Sequence, residues 1–63
     1  MNTLTDIFLD SLRKQKSQVS VFLISGIKLH GIIEDFDDNI ILLHHTFTQL
    51  IFKHSISTIM AKE

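Results

Sequence analysis

The run Val21-Phe22-Leu23-Ile24-Ser25-Gly26-Ile27-Lys28-Leu29-His30-Gly31-Ile32-Ile33-Glu34-Asp35-Phe36 holds two apolar segments around a pair of turn formers, serine and glycine. From Val19 the vocabulary is β-branched and aromatic, and Val19, Val21 and Leu23 alternate with Ser20, Phe22 and Ile24 as the two faces of a strand do. Ser25-Gly26 permits a tight turn. Ile27, Lys28, Leu29 and His30 resume the alternation, and Gly31 suggests a bulge or sharp bend where a second strand must curve.

Toward the C-terminus, Phe36-Asp37-Asp38-Asn39 reads as the next turn, because Asp and Asn side chains satisfy turn backbone locally. Ile40 to Leu43 predicts a short buried strand, His44-His45-Thr46 a weak turn, and Phe47 to Lys53 and Ser55 to Met60 two further strands. Toward the N-terminus, Thr3 and Asp6 form a capping pair. Leu4, Phe8 and Leu12 follow at helical spacing, flanked by Ile7 and Leu9, with Asp6, Asp10, Arg13 and Lys14 largely outside that face. A helix from about Leu4 to Lys16 is predicted. The order is thus one N-terminal helix and about five strands over residues 19–60. That is a mainly β fold, a strongly bent five-stranded antiparallel sheet or open barrel, in a single domain spanning 1–63.

A chain of 63 residues hides only about 60% of its surface on folding, and one core of that size contributes roughly 3–5 kcal/mol. The absence of cysteine removes disulfides, thiolate zinc sites and cysteine nucleophiles, and fits a reducing compartment. Yet 44% of the residues are hydrophobic and the mean hydropathy is +0.25. Burial against copies of itself is therefore expected. No proline blocks a strand edge, so one subunit's last strand is free to pair head to tail with a neighbour's edge until a ring closes.

The uninterrupted apolar runs Val21 to Ile24 and Ile40 to Leu43 are far shorter than the roughly 20 residues that span a bilayer. Met1 to Asp6 does not look like a secretory leader. A cytoplasmic protein without a membrane partner is expected. The formal net charge of -1 excludes nucleic-acid binding by bulk charge and leaves local basic patches.

Ser25 to Gly31 within Val21 to Phe36, with Phe36-Asp37 and then Ile40 to Leu43, resembles the first Sm motif in the form found in the Hfq family. Phe52-Lys53-His54-Ser55-Ile56-Ser57-Thr58 resembles the second, an aromatic followed by Lys-His. The two cover nearly the whole chain in the right order. The resemblance implies a homohexameric ring with two RNA-binding faces and a basic rim, an RNA chaperone pairing small regulatory RNAs with mRNA in post-transcriptional regulation and stress response. It implies no cofactor and no small-molecule substrate.

On the face bearing the helices, where the family binds uridine-rich ends around the pore, Lys53 and His54 match the pore residues and Phe52 replaces a common tyrosine. Asp38 and Asn39 stand where the family places a glutamine and a stacking aromatic, and Thr5 where a base-reading glutamine is usual. A lost stacking ring costs about 1–3 kcal/mol per base, and a carboxylate near phosphate adds repulsion. On the opposite face, where the family binds adenine-rich RNA, Phe22 matches the stacking tyrosine, and Gly26, Ile27, Lys28, Gln49 and Thr58 match their counterparts. His30 replaces a glutamine and lacks an amide's edge-on pairing. Arg13, Lys14 and Lys16 resemble the rim, with lysine keeping charge but not the stacking guanidinium. A-rich RNA is expected to bind tighter than U-rich, and no tail is expected beyond Glu63.

Plainer roles compete. Arg13, Lys14 and Lys16 suit the negative end of their helix, Phe22 and Phe52 suit a core, and His30 a solvated strand. A structural or protein-binding ring with reduced RNA binding is the alternative function. No metal site is expected: His44 and His45 are adjacent, so within a strand they would point to opposite faces, and no histidine spacing suits zinc. Asp35 and Asp37 suit a solvated turn better than Mg²⁺. With no nucleophile elbow or phosphate loop and little room for a closed pocket, an enzyme is not expected.

Overall fold

The structure, a computed structural model, describes residues 3–61. Met1, Asn2, Lys62 and Glu63 lie outside the described residues, so the expectations of no leader and no tail fall partly or wholly beyond it.

Helix α1 spans Leu4–Gln15 and begins with a reciprocal cap. The Asp6 N–H donates to Thr3 Oγ1 at 3.1 Å, and the Thr3 N–H donates to Asp6 Oδ2 at 3.5 Å. Lys16 does not extend the helix as predicted. It ends it in the left-handed conformation, φ 52 and ψ 41, where its N–H reaches the Arg13 carbonyl at 3.2 Å.

Strand β1 spans Gln18–Leu23, β2 Lys28–Phe36, β3 Ile40–His44, β4 Thr48–Phe52 and β5 Ile56–Ala61, with a 3₁₀ turn at Lys53–Ser55. The predicted strands are all present, but Ile24, Ile27 and Phe47 belong to turns and Lys53 to the 3₁₀ turn. All pairings are antiparallel in the order β4-β3-β2-β1-β5, which leaves β4 and β5 as the two edges.

Two turns are built as their residues dictate. Between β1 and β2 the Gly26 N–H reaches the Leu23 carbonyl at 2.9 Å, with Gly26 at φ +96. Between β2 and β3 Asp37 Oδ1 accepts the N–H groups of Asn39 at 2.7 Å and Ile40 at 2.9 Å.

Gly31 is not a bulge. It stays in register opposite Val19, and the extra residue is Glu34, where the β2–β3 register shifts between Ile33 and Asp35. Glycine is needed at 31 for a close approach: a Cβ there would lie 2.4 Å from the His44 carbonyl oxygen. A second shift, between Phe22 and Leu23, bends β1 against β5. Such irregularities sharpen the bend of a sheet.

The bent sheet encloses Val19, Val21, Ile33, Ile41, Leu43 and Ile51, and α1 closes it with Leu9 and Leu12. This departs from the predicted Leu4-Phe8-Leu12 stripe, since Leu4, Ile7 and Phe8 are exposed. The helix is thus anchored on the core by its middle, at Leu9 and Leu12. Among the described residues no helix is long and apolar enough to cross a membrane.

Candidate nucleic-acid interface

On the sheet's outer side Phe22 stands opposite Lys28 of β2 and Thr58 of β5, so the three form one row across three strands. The Lys28 ammonium lies 5.7 Å from the centroid of the Phe22 ring. In the next row Ser20 stands between His30 and Met60, placing His30 on the same face. Gly26 and Ile27 occupy the adjoining turn. Phe22 is half-buried rather than core; the neighbouring Val19 and Val21 point the other way and are buried. An aromatic ring beside an ammonium and a hydroxyl is suited to a stacked base and its phosphate.

Gln49 does not join this row within one subunit. It lies opposite Leu43, on the core side of β4. A cleft of about 240 Å³ nonetheless brings it together with Lys28 and His30, and with His45 and Phe47, neither of which the sequence marks as an RNA-binding residue. Phe47 was placed inside a strand there, and only its position just after a weak turn could have signalled an exposed ring. The adjacent histidines part, with His44 ending β3 and His45 in the turn after it: His45 meets His30 edge to face, centroids 4.6 Å apart, while His44 Nδ1 lies 3.4 Å from Thr48 Oγ1 and 3.8 Å from Glu34.

On the helix side the residues are more tied up. The 3₁₀ turn sets Lys53 with its N–H on the Asn39 carbonyl at 2.8 Å, its ammonium 3.6 Å from Asp6 Oδ1 and 5.3 Å from the Phe36 centroid. The Lys53 side chain is only 19% exposed, so its charge is largely engaged within the subunit. Phe52 is exposed and stacks on His54, centroids 5.6 Å apart, so it is not a core residue. Thr5 and Lys53 share a cleft of about 490 Å³ between α1 and β5. Asp38 lines another, of about 680 Å³, with Asp6, Asp10 and Asp37 against the single cation Lys14. Asn39, as the sequence states, offers no ring, and it is exposed.

At the end of α1 Arg13 is bonded to Asp10 and, at 3.0 Å, to Asp35, while Lys14 lies 3.1 Å from Asp10. The Lys14 ammonium, with Arg13, holds the Asp10 carboxyl below the ordinary carboxylate range. Lys16 is exposed at the helix end. Asp35 and Asp37 do not converge on a shared ion. Asp35 faces Arg13, and Asp37 is spent on the turn, where the Asn39 and then the Ile40 amide hold its carboxyl below its usual range.

Comparison with known proteins bears on the family and the fold. The family model described as Hfq protein matches residues 4–63. A crystal structure of the pleiotropic translational regulator Hfq superposes with a TM-score of 0.89 at 30% identity, covering 92% of this chain and 98% of that one. An Hfq protein from Anabaena sp. has the same fold, with a TM-score of 0.86 at 24% identity over 95% of this chain and 100% of that one. A capped helix on a bent sheet of order β4-β3-β2-β1-β5, matched by the family along almost its whole length, makes this chain a member of the Hfq family of RNA-binding Sm-like proteins.

Proposed function

We propose that the chain closes head to tail through β4 and β5 into a homohexamer that acts as an RNA chaperone in the cytoplasm. It binds A-rich RNA in preference to U-rich RNA and pairs small regulatory RNAs with mRNA, a non-enzymatic role in post-transcriptional and stress control. The related protein of known structure is named a translational regulator. The observation that carries the preference is the row Phe22, Lys28 and Thr58, an accessible ring with a cation 5.7 Å from it. Gly26, Ile27, His30 and Gln49 complete that face. Repetition around a ring multiplies each weak contact.

The helix face is poorer for anions. Thr5 lacks the amide and Asn39 the stacking ring that the family places at these positions, Lys53 leans on Asp6, and Asp38 adds to an acidic cleft. Phe52 and His54 remain for U-rich ends. The rim of Arg13, Lys14 and Lys16 works by charge, reduced by Asp10 and Asp35. That pairing also favours the second reading, a protein-binding ring.

Fluorescence anisotropy with A-rich and U-rich oligonucleotides of equal length tests the preference. A-rich RNA should bind tighter, Phe22→Ala should weaken it, and Asn39→Phe should strengthen U-rich binding selectively. Equal or tighter U-rich binding overturns the preference. No binding of either RNA by an intact ring favours the protein-binding reading.

A further inference from the structure

Strand β2 has nine residues and β3 five. The β2–β3 ladder begins at Ile32 opposite His44, so Lys28 to Gly31 has β1 on one side and no β3 partner on the other. The turn after β3 crosses that space instead. Gly31, lacking a side chain, lets the His44 backbone come in close, and the His45 N–H reaches the Phe47 carbonyl at 3.1 Å to close the turn. The result is the cleft shared by Lys28, His30, His45, Phe47 and Gln49. At about 240 Å³ it is smaller than the roughly 300–1,000 Å³ of pockets for drug-sized molecules, a size suited to one planar ring system.

The ring of His30 already has an aromatic neighbour in His45, edge to face at 65°. Its capacity to stack on a ligand is partly used. The aromatic left open at the cleft is Phe47, 75% exposed. Gln49 supplies an amide with donors and an acceptor, the group that reads the edge of a base. Lys28 lies between this cleft and Phe22, since it both lines the cleft and places its ammonium over the Phe22 ring. One cation flanked by two aromatic positions fits a strand of nucleic acid, in which a phosphate joins successive bases.

We propose that Phe47 is a second base-stacking residue of the A-rich RNA face, acting with Gln49 and Lys28, and that His45 is a positioning residue that holds His30 beside it. This rests on the reading of that face as an RNA surface, and it adds a nucleobase subsite built from the β3–β4 turn.

The chain has no tryptophan, so Phe47→Trp places a single indole reporter in the cleft. Its emission should be quenched by an A-rich oligonucleotide over the same concentration range in which anisotropy reports binding. Phe47→Ala should lower A-rich affinity by roughly tenfold while sedimentation shows the same assembly as the natural protein. His45→Ala should lower the ratio of A-rich to U-rich affinity more than it lowers affinity itself. If the natural protein binds A-rich RNA but Phe47→Ala binds equally well and the indole is not quenched, this inference fails and the reading of the face stands. If the natural protein binds no A-rich RNA, both fail. Loss of assembly in Phe47→Ala, without quenching in Phe47→Trp, makes the ring an inter-subunit contact and overturns the proposal.

Discussion

At Gly31 the obstacle to any side chain is backbone, the His44 carbonyl oxygen 2.4 Å from an added Cβ, and backbone inside a ladder does not yield. Gly26 has a positive φ of +96 but open space around it. Gly26→Ala should therefore cost about 1 kcal/mol from conformation alone, and Gly31→Ala about 3 kcal/mol or more because displacement of β3 is added. Urea unfolding at one protein concentration measures both, and equal midpoints would refute the distinction. Asp37 gives a pH signature. Folding lowers its pKa below the ordinary value, through the Asn39 and Ile40 amides, so its contribution is complete above that value and is lost as the pH falls through the lowered one. Between about pH 6 and pH 3 the natural protein should lose more stability than Asp37→Asn, by denaturant titration. Identical losses would show that the charge on the turn is idle. The turn itself was legible, because Asp-Asp-Asn has few other uses. The role of Gly31 was not, since its partner His44 is thirteen positions away in sequence and is brought close only by the sheet.

At the scale of elements, α1 shows where periodicity stops being informative. Its N-terminal cap was readable from Thr3 and Asp6, yet its buried pair is Leu9 and Leu12. Spacing ranks apolar residues around a helix, whereas the docking site along it is set by where the sheet lies. The five strands were readable from β-branched runs, but the bulge at Glu34 and the 3₁₀ turn at Lys53–Ser55 answer to strand curvature and left no mark in composition. For the candidate site, the residues were named but not their internal partners: Lys53 with Asp6, and Arg13 and Lys14 with Asp10. The pairs at the helix end, open to solvent, add little to stability, and all three mask charge. Asp10→Asn, which keeps the shape and removes the charge, should quicken RNA annealing and steepen the fall of affinity with salt. An unchanged salt slope would mean that the rim does not meet phosphate.

At the scale of the molecule, eight of the described residues form the buried core of a body 28 × 22 × 20 Å across. Leu4, Ile7, Phe47, Leu50, Phe52 and Met60 remain more than half exposed. If association covers part of this surface, the thermal midpoint must rise with protein concentration. Scanning calorimetry over a hundredfold range of concentration, alongside sedimentation equilibrium, checks this; a concentration-independent midpoint in a folded monomer would refute the ring.

The strand order also carries a sequence of events in time. β1 to β4 make a meander in which each strand meets its predecessor, so three of the four pairings close over short loops. β5 alone must return past the others to β1, from Ile56 to Leu23. Long loops close slowly. Pulsed hydrogen exchange during refolding should accordingly protect β2 and β3 before β5, and simultaneous protection would contradict it. Because β5 is one of the two edges, one of the two surfaces proposed to join neighbouring copies would then be the last to form. On the proposed β4-to-β5 closure, a half-folded chain already carries the β4 edge but not the β5 edge that would receive it, so completion of the joint waits on the return of the last strand.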